Sequence, residues 1–206
     1  MMDVKRVLAV GTHPDDIEIG CLGFLLKLGP DVERHLYFAS VGSAGDPTSG
    51  AGRRAESEAA CACLPPASIT FREKTGILPT DHVEIVSELA RLVDRCEPDL
   101  VLVGSQHDTH QEHAYVYQAV VSAMRRSRAS VAAYCGNSTT LDFRPTIFVD
   151  ISAVVETKMD ALAKHRSQAG KKYLTREFFD VFHAHPYAVV NGIRCCERFE
   201  PVRLFF

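Results

Sequence analysis

Short apolar runs alternate along the chain with longer stretches in which apolar residues recur at three- and four-residue spacing. The runs Val7 to Val10, His35 to Ser40, Ser68 to Phe71, Leu100 to Val103, Val131 to Tyr134 and Ile147 to Asp150 predict strands. Between them, Ile19 to Leu28, Arg53 to Leu64, His82 to Cys96, His113 to Arg126 and Ala153 to Arg166 predict amphipathic helices, with Val83, Ile85, Leu89, Leu92 and Val93 marking one apolar face. Lys171 to His183 also reads as helical, and Arg198 to Phe206 as a closing strand. Alternating elements of this kind call for a mostly parallel sheet covered by helices on both faces. The expected fold class is therefore α/β: a single-domain, Rossmann-like three-layer sandwich. At 206 residues and 46% hydrophobic, the chain suffices for one core, so residues 1–206 read as one domain.

Composition narrows the range of partners. With 23 basic against 26 acidic residues, the net charge of -3 offers no general attraction to phosphate backbones or anionic lipid, and nucleic acid is not an expected partner. Arg125, Arg126 and Arg128 form the one dense basic patch, which reads as a solvated end of a helix. The apolar run after Arg6 is too short for a signal peptide and breaks into charge at His13. No stretch reaches the roughly 20 apolar residues of a membrane span. Seven cysteines, an odd number without a C-x-x-C pair, suit a reducing cytoplasm, where the chain is expected to reside. Cys61 and Cys63 lie two apart on an expected helix and point in different directions, so they read as thiols and not as a metal pair.

In open α/β sheets, ligands bind beyond the carboxyl ends of the strands. Three loops there stand out: Gly11 to Glu18, Gly42 to Gly52 and Gly104 to Glu112. The second is rich in turn formers and reads as a flap, but it holds no glycine pattern for cradling phosphate. The first reads Gly11-Thr12-His13-Pro14-Asp15-Asp16-Ile17-Glu18. Its proline turns the chain sharply out of the strand, and Asp15 or Asp16 as a helix N-cap accounts for one carboxylate. Capping leaves a second carboxylate and a histidine without a purpose. The third loop, Gln106-His107-Asp108-Thr109-His110-Gln111-Glu112-His113, adds three histidines and two acids at the same sheet edge. Such a set suits a divalent metal with an open position for water. His13, Asp16 and His113 supply the three ligands that such a site needs.

Together, His13-Pro14-Asp15-Asp16-x-Glu18 and Asp108-Thr109-His110-x-Glu112-His113 resemble the two motifs of the LmbE/PIG-L family of zinc-dependent N-acetyl-sugar deacetylases. Arg53-x-x-Glu56 and Lys164-His165-Arg166-Ser167-Gln168 resemble supporting elements of that family. Thr12 and Glu112 depart mildly from its usual alanine and aspartate. The resemblance implies one Zn2+ held by His13, Asp16 and His113, with Asp15 as general base and His110 in the active site. Fe2+ or Co2+ suits the same donors. Physical reasoning adds His110 as a stabiliser of the tetrahedral oxyanion and Asp108 as the carboxylate orienting His110. Arg53 is assigned to substrate binding, with Arg54 as its neighbour in register.

The remaining residues are placed more simply. Glu18 is expected to brace the turn and His107 to lie at the surface, while His183 and His185 read as a loop pair near a lid. The implied substrate is an N-acetylated sugar or sugar conjugate, which loses acetate to give a free amine. Two alternatives stand beside it: amide hydrolysis of another N-acyl compound, and a non-catalytic sugar- or nucleotide-binding module. Oligomeric state is open: the family's members often assemble as homo-oligomers, but scattered apolar residues such as Phe205 and Phe206 mark no interface.

Overall fold

A computed structural model of the protein describes residues 4–43, 45–46 and 49–205. Part of the expected flap (Ala44, Pro47 and Thr48), the start of the chain (Met1 to Asp3) and Phe206 lie outside the described residues. The strands are β1 (Arg6–Gly11), β2 (Glu33–Phe38), β3 (Ala67–Phe71), β4 (Leu100–Gly104), β5 (Ser130–Tyr134), β6 (Ile147–Asp150) and β7 (Cys196–Arg203). The helices are α1 (Asp16–Gly20), α2 (Leu22–Lys27), α3 (Ala51–Cys61), α4 (His82–Cys96), α5 (Gln111–Ala123), α6 (Val155–Leu162), α7 (Arg176–Phe182) and α8 (Pro186–Val190). The strands form one sheet in the order β3-β2-β1-β4-β5-β7-β6. Every pairing from β3 to β5 is parallel, and only β7 runs against its neighbours. Among the described residues, no helix is long and apolar enough to cross a membrane.

The alternation of side chains along each strand builds the two helical layers. Leu8 and Val10 of β1, with Val101 and Val103 of β4, face Ile85, Leu89, Val116 and Val120 of α4 and α5. Their neighbours Val7, Ala9, Leu100 and Leu102 face the opposite way, onto Ile17, Leu22, Leu25 and Ala60. Because both faces are covered, the central strands read as unbroken apolar runs. Each fully buried leucine or valine here stabilises the fold by about 1.5–3 kcal/mol relative to exposure.

Three local features depart from the sequence reading. The helix expected over Ile19 to Leu28 is two helices broken at Cys21. A buried ion pair holds the break: Glu197 accepts hydrogen bonds from the amides of Gly23 (2.7 Å) and Phe24 (2.6 Å), capping α2. Lys158 donates to Ile19 O (2.7 Å) at the end of α1 and to Glu197 (2.6 Å). Gly20 lets this corner approach the sheet, since a Cβ there would lie 2.1 Å from the Tyr134 ring. Second, the closing strand begins at Cys196 and inserts antiparallel between β5 and β6. Third, Lys171 to His183 divides into a single turn over Lys172–Leu174 and α7.

Lys158 and Glu197 are both fully buried, so removing the cation leaves a carboxylate with only its two amide donors. Lys158→Met is expected to lower the unfolding free energy by ~3 kcal/mol, read as a fall in the urea midpoint at unchanged slope.

Candidate active site

The chain proceeds from β1 outward through β2 and β3, then returns to place β4 on the other side of β1. β1 and β4 are paired through Val10 and Val103, so the loops leaving their carboxyl ends lie side by side. This is the switch point at which an open α/β sheet has room for a ligand. The first loop brings His13, Asp15 and Asp16, and the second brings Asp108, His110, Glu112 and His113.

Three donor atoms converge there. His13 Nδ1 lies 3.2 Å from His113 Nε2 and 3.7 Å from Asp16 Oδ2, and His113 Nε2 lies 3.5 Å from the same oxygen. The outer nitrogens of both imidazoles are taken by carboxylates: His13 Nε2 meets Glu112 Oε2 at 2.8 Å and His113 Nδ1 meets Asp108 Oδ2 at 3.0 Å. Burial works to raise the pKa of Glu112 and of Asp108, but their imidazole partners overcome it and hold both below the usual range. Ionised carboxylates only accept, so they draw N–H to the outer nitrogens and turn two lone pairs toward each other across 3.2 Å. A cation about 2.0–2.1 Å from each donor requires donor separations of roughly 3.3 Å, close to the triangle observed. The donor set therefore fits a divalent metal.

Electrostatics agree with that fit. Burial alone would lower the pKa of His113, but the carboxylates of Asp16 and Asp108 push it up to about 9, so that in the ion's absence a proton is drawn in. Asp16 is held low despite its burial, by His113, His13 and the His13 amide. Its Oδ2 accepts from the amides of Thr12 (3.0 Å) and His13 (2.7 Å), which fixes the carboxylate against its own loop. No side chain caps α1, so capping accounts for neither aspartate.

Asp15 occupies the N-cap position with φ 133°, a left-handed conformation that costs a non-glycine residue on the order of 1–3 kcal/mol. Burial raises its pKa to about 6, against the lowering effect of Arg53. Arg53, 3% exposed, places Nη2 3.0 Å from Asp15 Oδ2 and 2.7 Å from Pro14 O, and Nη1 3.5 Å from Asp46. The Tyr173 hydroxyl donates to the same Asp15 oxygen at 3.3 Å. His110 stacks on His113 with ring centroids 4.8 Å apart, and its buried Nδ1 has no hydrogen-bond partner among the described residues. Burial and the neighbouring imidazoles lower its pKa, so it is a neutral imidazole with one N–H to donate.

His13, Asp15, Asp16, Arg53, Asp108, His110 and His113, the residues assigned to the site from the sequence, gather here, and Asp108 has a different partner from the one expected. The sequence predicts that Asp108 orients the His110 ring; it holds the His113 ring instead and reaches His110 only through the backbone amide (2.8 Å). Arg53, expected to reach the substrate, sits with its guanidinium against Asp15, Pro14 O and Asp46. Arg54 turns outward to Glu58 and Glu73, which settles the register. Glu18 braces the turn as expected, accepting a short hydrogen bond from Ser57 and lying 3.2 Å from His165 Nε2. His107 is half-exposed, and Cys63 is exposed while Cys61 is buried. His183 departs from the loop-pair reading: it is buried beside Phe179 and Phe182, with Nδ1 3.1 Å from Cys196 O. His185 lies against Phe148 with the two rings tilted.

Sequence reasoning passes over Tyr173, Ser43 (Oγ 3.2 Å from His13 Nε2) and the partnership of His165 with Glu18. Tyr173 resembles one more apolar position of an amphipathic segment, and nothing local marks its hydroxyl. His165, lying next to Ser167 and Gln168 in the quoted motif, is the available signal.

Known proteins resemble this chain in sequence and in fold. Residues 8–124 match the family model described as PIG-L, GlcNAc-PI de-N-acetylase. The uncharacterised deacetylase YaiS of Escherichia coli K12 is 31% identical over 175 residues, which cover 79% of this chain and 91% of YaiS. The N,N'-diacetylchitobiose deacetylase of Pyrococcus horikoshii superposes with a TM-score of 0.81 at 24% identity, covering 97% of this chain and 84% of its own. GalB of Pseudomonas putida, a 4-carboxy-2-hydroxymuconate hydratase, superposes with a TM-score of 0.77 at 19% identity, covering 98% of each chain. At these identities the two structures speak for the shared fold.

Glu112 leaves the outer nitrogen of His13 as an N–H and its inner nitrogen free to donate. Glu112→Gln is therefore expected to weaken Zn2+ binding about 10- to 100-fold, measured by competition with a chromophoric chelator. Binding as tight as in the unaltered protein would refute that role.

Proposed function

The chain belongs to the PIG-L family of de-N-acetylases, and on that premise we propose that it is a zinc-dependent hydrolase that removes the N-acetyl group from an amino sugar or sugar conjugate. The observation that carries this reading is the triangle of His13, Asp16 and His113 with Asp15 buried beside it. Held by these three residues, the ion would supply Lewis acidity, lowering the pKa of water and polarising an amide carbonyl.

The chain's own residues account for the proton transfers. Asp15 takes a proton from the attacking water as the water oxygen bonds to the acetyl carbon. When the C–N bond breaks, Asp15 returns that proton to the departing nitrogen, and acetate and a free amine result. His110 offers its N–H to the oxygen on which negative charge develops, a role that needs no positive charge on the ring. Arg53 keeps Asp15 in place and contributes a neighbouring positive charge. The acetylated sugar in the name of the Pyrococcus enzyme supports the substrate class.

The purified, zinc-loaded protein is expected to release acetate from N-acetylglucosamine derivatives or diacetylchitobiose in preference to a panel of acyl-peptides. The reverse preference would move the reading to another amide. Asp15→Asn is expected to lower kcat/KM by about 100-fold or more while keeping one zinc per chain by elemental analysis. Undiminished activity in that variant would remove Asp15 as the base.

A further inference from the structure

We infer that Tyr173 is a positioning residue for Asp15, anchoring carboxylate oxygen Oδ2 so that Oδ1 is the oxygen that takes and returns the proton. The inference rests on the deacetylase reading of Asp15 and adds to it a residue from a distant part of the chain. Tyr173 lies on the single turn Lys172–Leu174, 158 residues after Asp15.

The geometry separates the two oxygens of the carboxylate. Oδ2 accepts a hydrogen bond from the Tyr173 hydroxyl at 3.3 Å and pairs with the Arg53 guanidinium, whose Nη2 lies 3.0 Å away. Both groups hold the same oxygen, the hydroxyl by a hydrogen bond and the guanidinium by its charge. Oδ1 receives no donor among the described residues. A carboxylate held by one oxygen cannot rotate freely, so its other oxygen stays aimed in one direction. Such restraint is needed because the backbone at Asp15 is in a left-handed conformation that its surroundings must maintain.

The Tyr173 ring has a separate task. It packs beside Ile19, Ile151, Val155, Leu162 and Phe179, a cluster that phenylalanine would fill equally well. The hydroxyl adds nothing to that packing. Its hydrogen-bond partner is Asp15, and burial together with the Asp15 charge keeps the phenol protonated and therefore a donor.

Tyr173→Phe tests the hydroxyl alone. Turnover of an N-acetylglucosamine derivative is expected to fall about 10-fold in kcat, the size of one hydrogen bond to a charged group, with KM within about twofold. Zinc content and Tm should match the unaltered protein. Crystal structures of both proteins should show the Asp15 carboxylate in one orientation in the unaltered protein and rotated or divided between orientations in the variant. Unchanged kcat with an unmoved carboxylate would overturn the inference, as would a raised KM at constant kcat, which would mark a substrate contact instead. If the unaltered protein hydrolyses no N-acetyl compound, the deacetylase reading fails, and the paired crystal structures still decide whether Tyr173 positions Asp15.

Discussion

Two imidazole nitrogens held 3.2 Å apart, with the outer nitrogens of both rings already committed to carboxylates, form an arrangement that needs a positive charge between them. Asp16 sharpens the need by adding a third acceptor at 3.5–3.7 Å. In water such a cluster would disperse; here both rings and Glu112 are buried, Asp16 and Asp108 are half-buried, and all are tied to the ends of β1 and β4. The rest of the site follows from keeping that charge balance. Glu112 and Asp108 orient the rings, the amides of Thr12 and His13 orient Asp16, and Arg53 offsets the additional carboxylate of Asp15.

Adjacent aspartates are given opposite surroundings. Asp16 gathers two amides and two imidazoles and is held as an anion. Asp15 is buried, and burial raises its carboxyl toward neutrality against the opposing charge of Arg53. Separating the proton affinities of two neighbouring carboxylates lets one residue type serve two tasks, the ligand and the proton carrier proposed for Asp16 and Asp15. The separation comes at the expense of a strained backbone at Asp15, which Ile19 N, bonded to Asp15 O at 2.8 Å, helps to hold.

Behind the site, the broken helix explains why so short an element as α1 can be rigid. Lys158 ties its last turn to Glu197, and Glu197 caps the start of α2, so that strand β7 and helix α6 fix a corner of the first loop. On the α3 side, Glu18 meets Ser57 and His165, while Glu56 bonds Ser167 through both carboxylate oxygens. The motif elements that resemble a family pattern only loosely are thus joined to one another in space.

The sequence by itself determined the alternation of strands and helices, the covered parallel sheet and the two loops that carry the candidate metal donors. These are local matters: hydrophobic periodicity records which face is buried, and His13, Asp16 and His113 reveal their chemistry by residue type and spacing. Pairing was not legible in the same way. That Asp108 serves His113 and not the His110 ring, that Arg53 turns to Asp15, and that Tyr173 meets the same carboxylate depend on directions set by the folded backbone. Neither the antiparallel insertion of β7 nor the break at Cys21 leaves a periodic trace, because each is stabilised by partners more than forty residues away. Tertiary structure decided these points because a hydrogen bond depends on distance and angle, which a sequence of residue types does not contain.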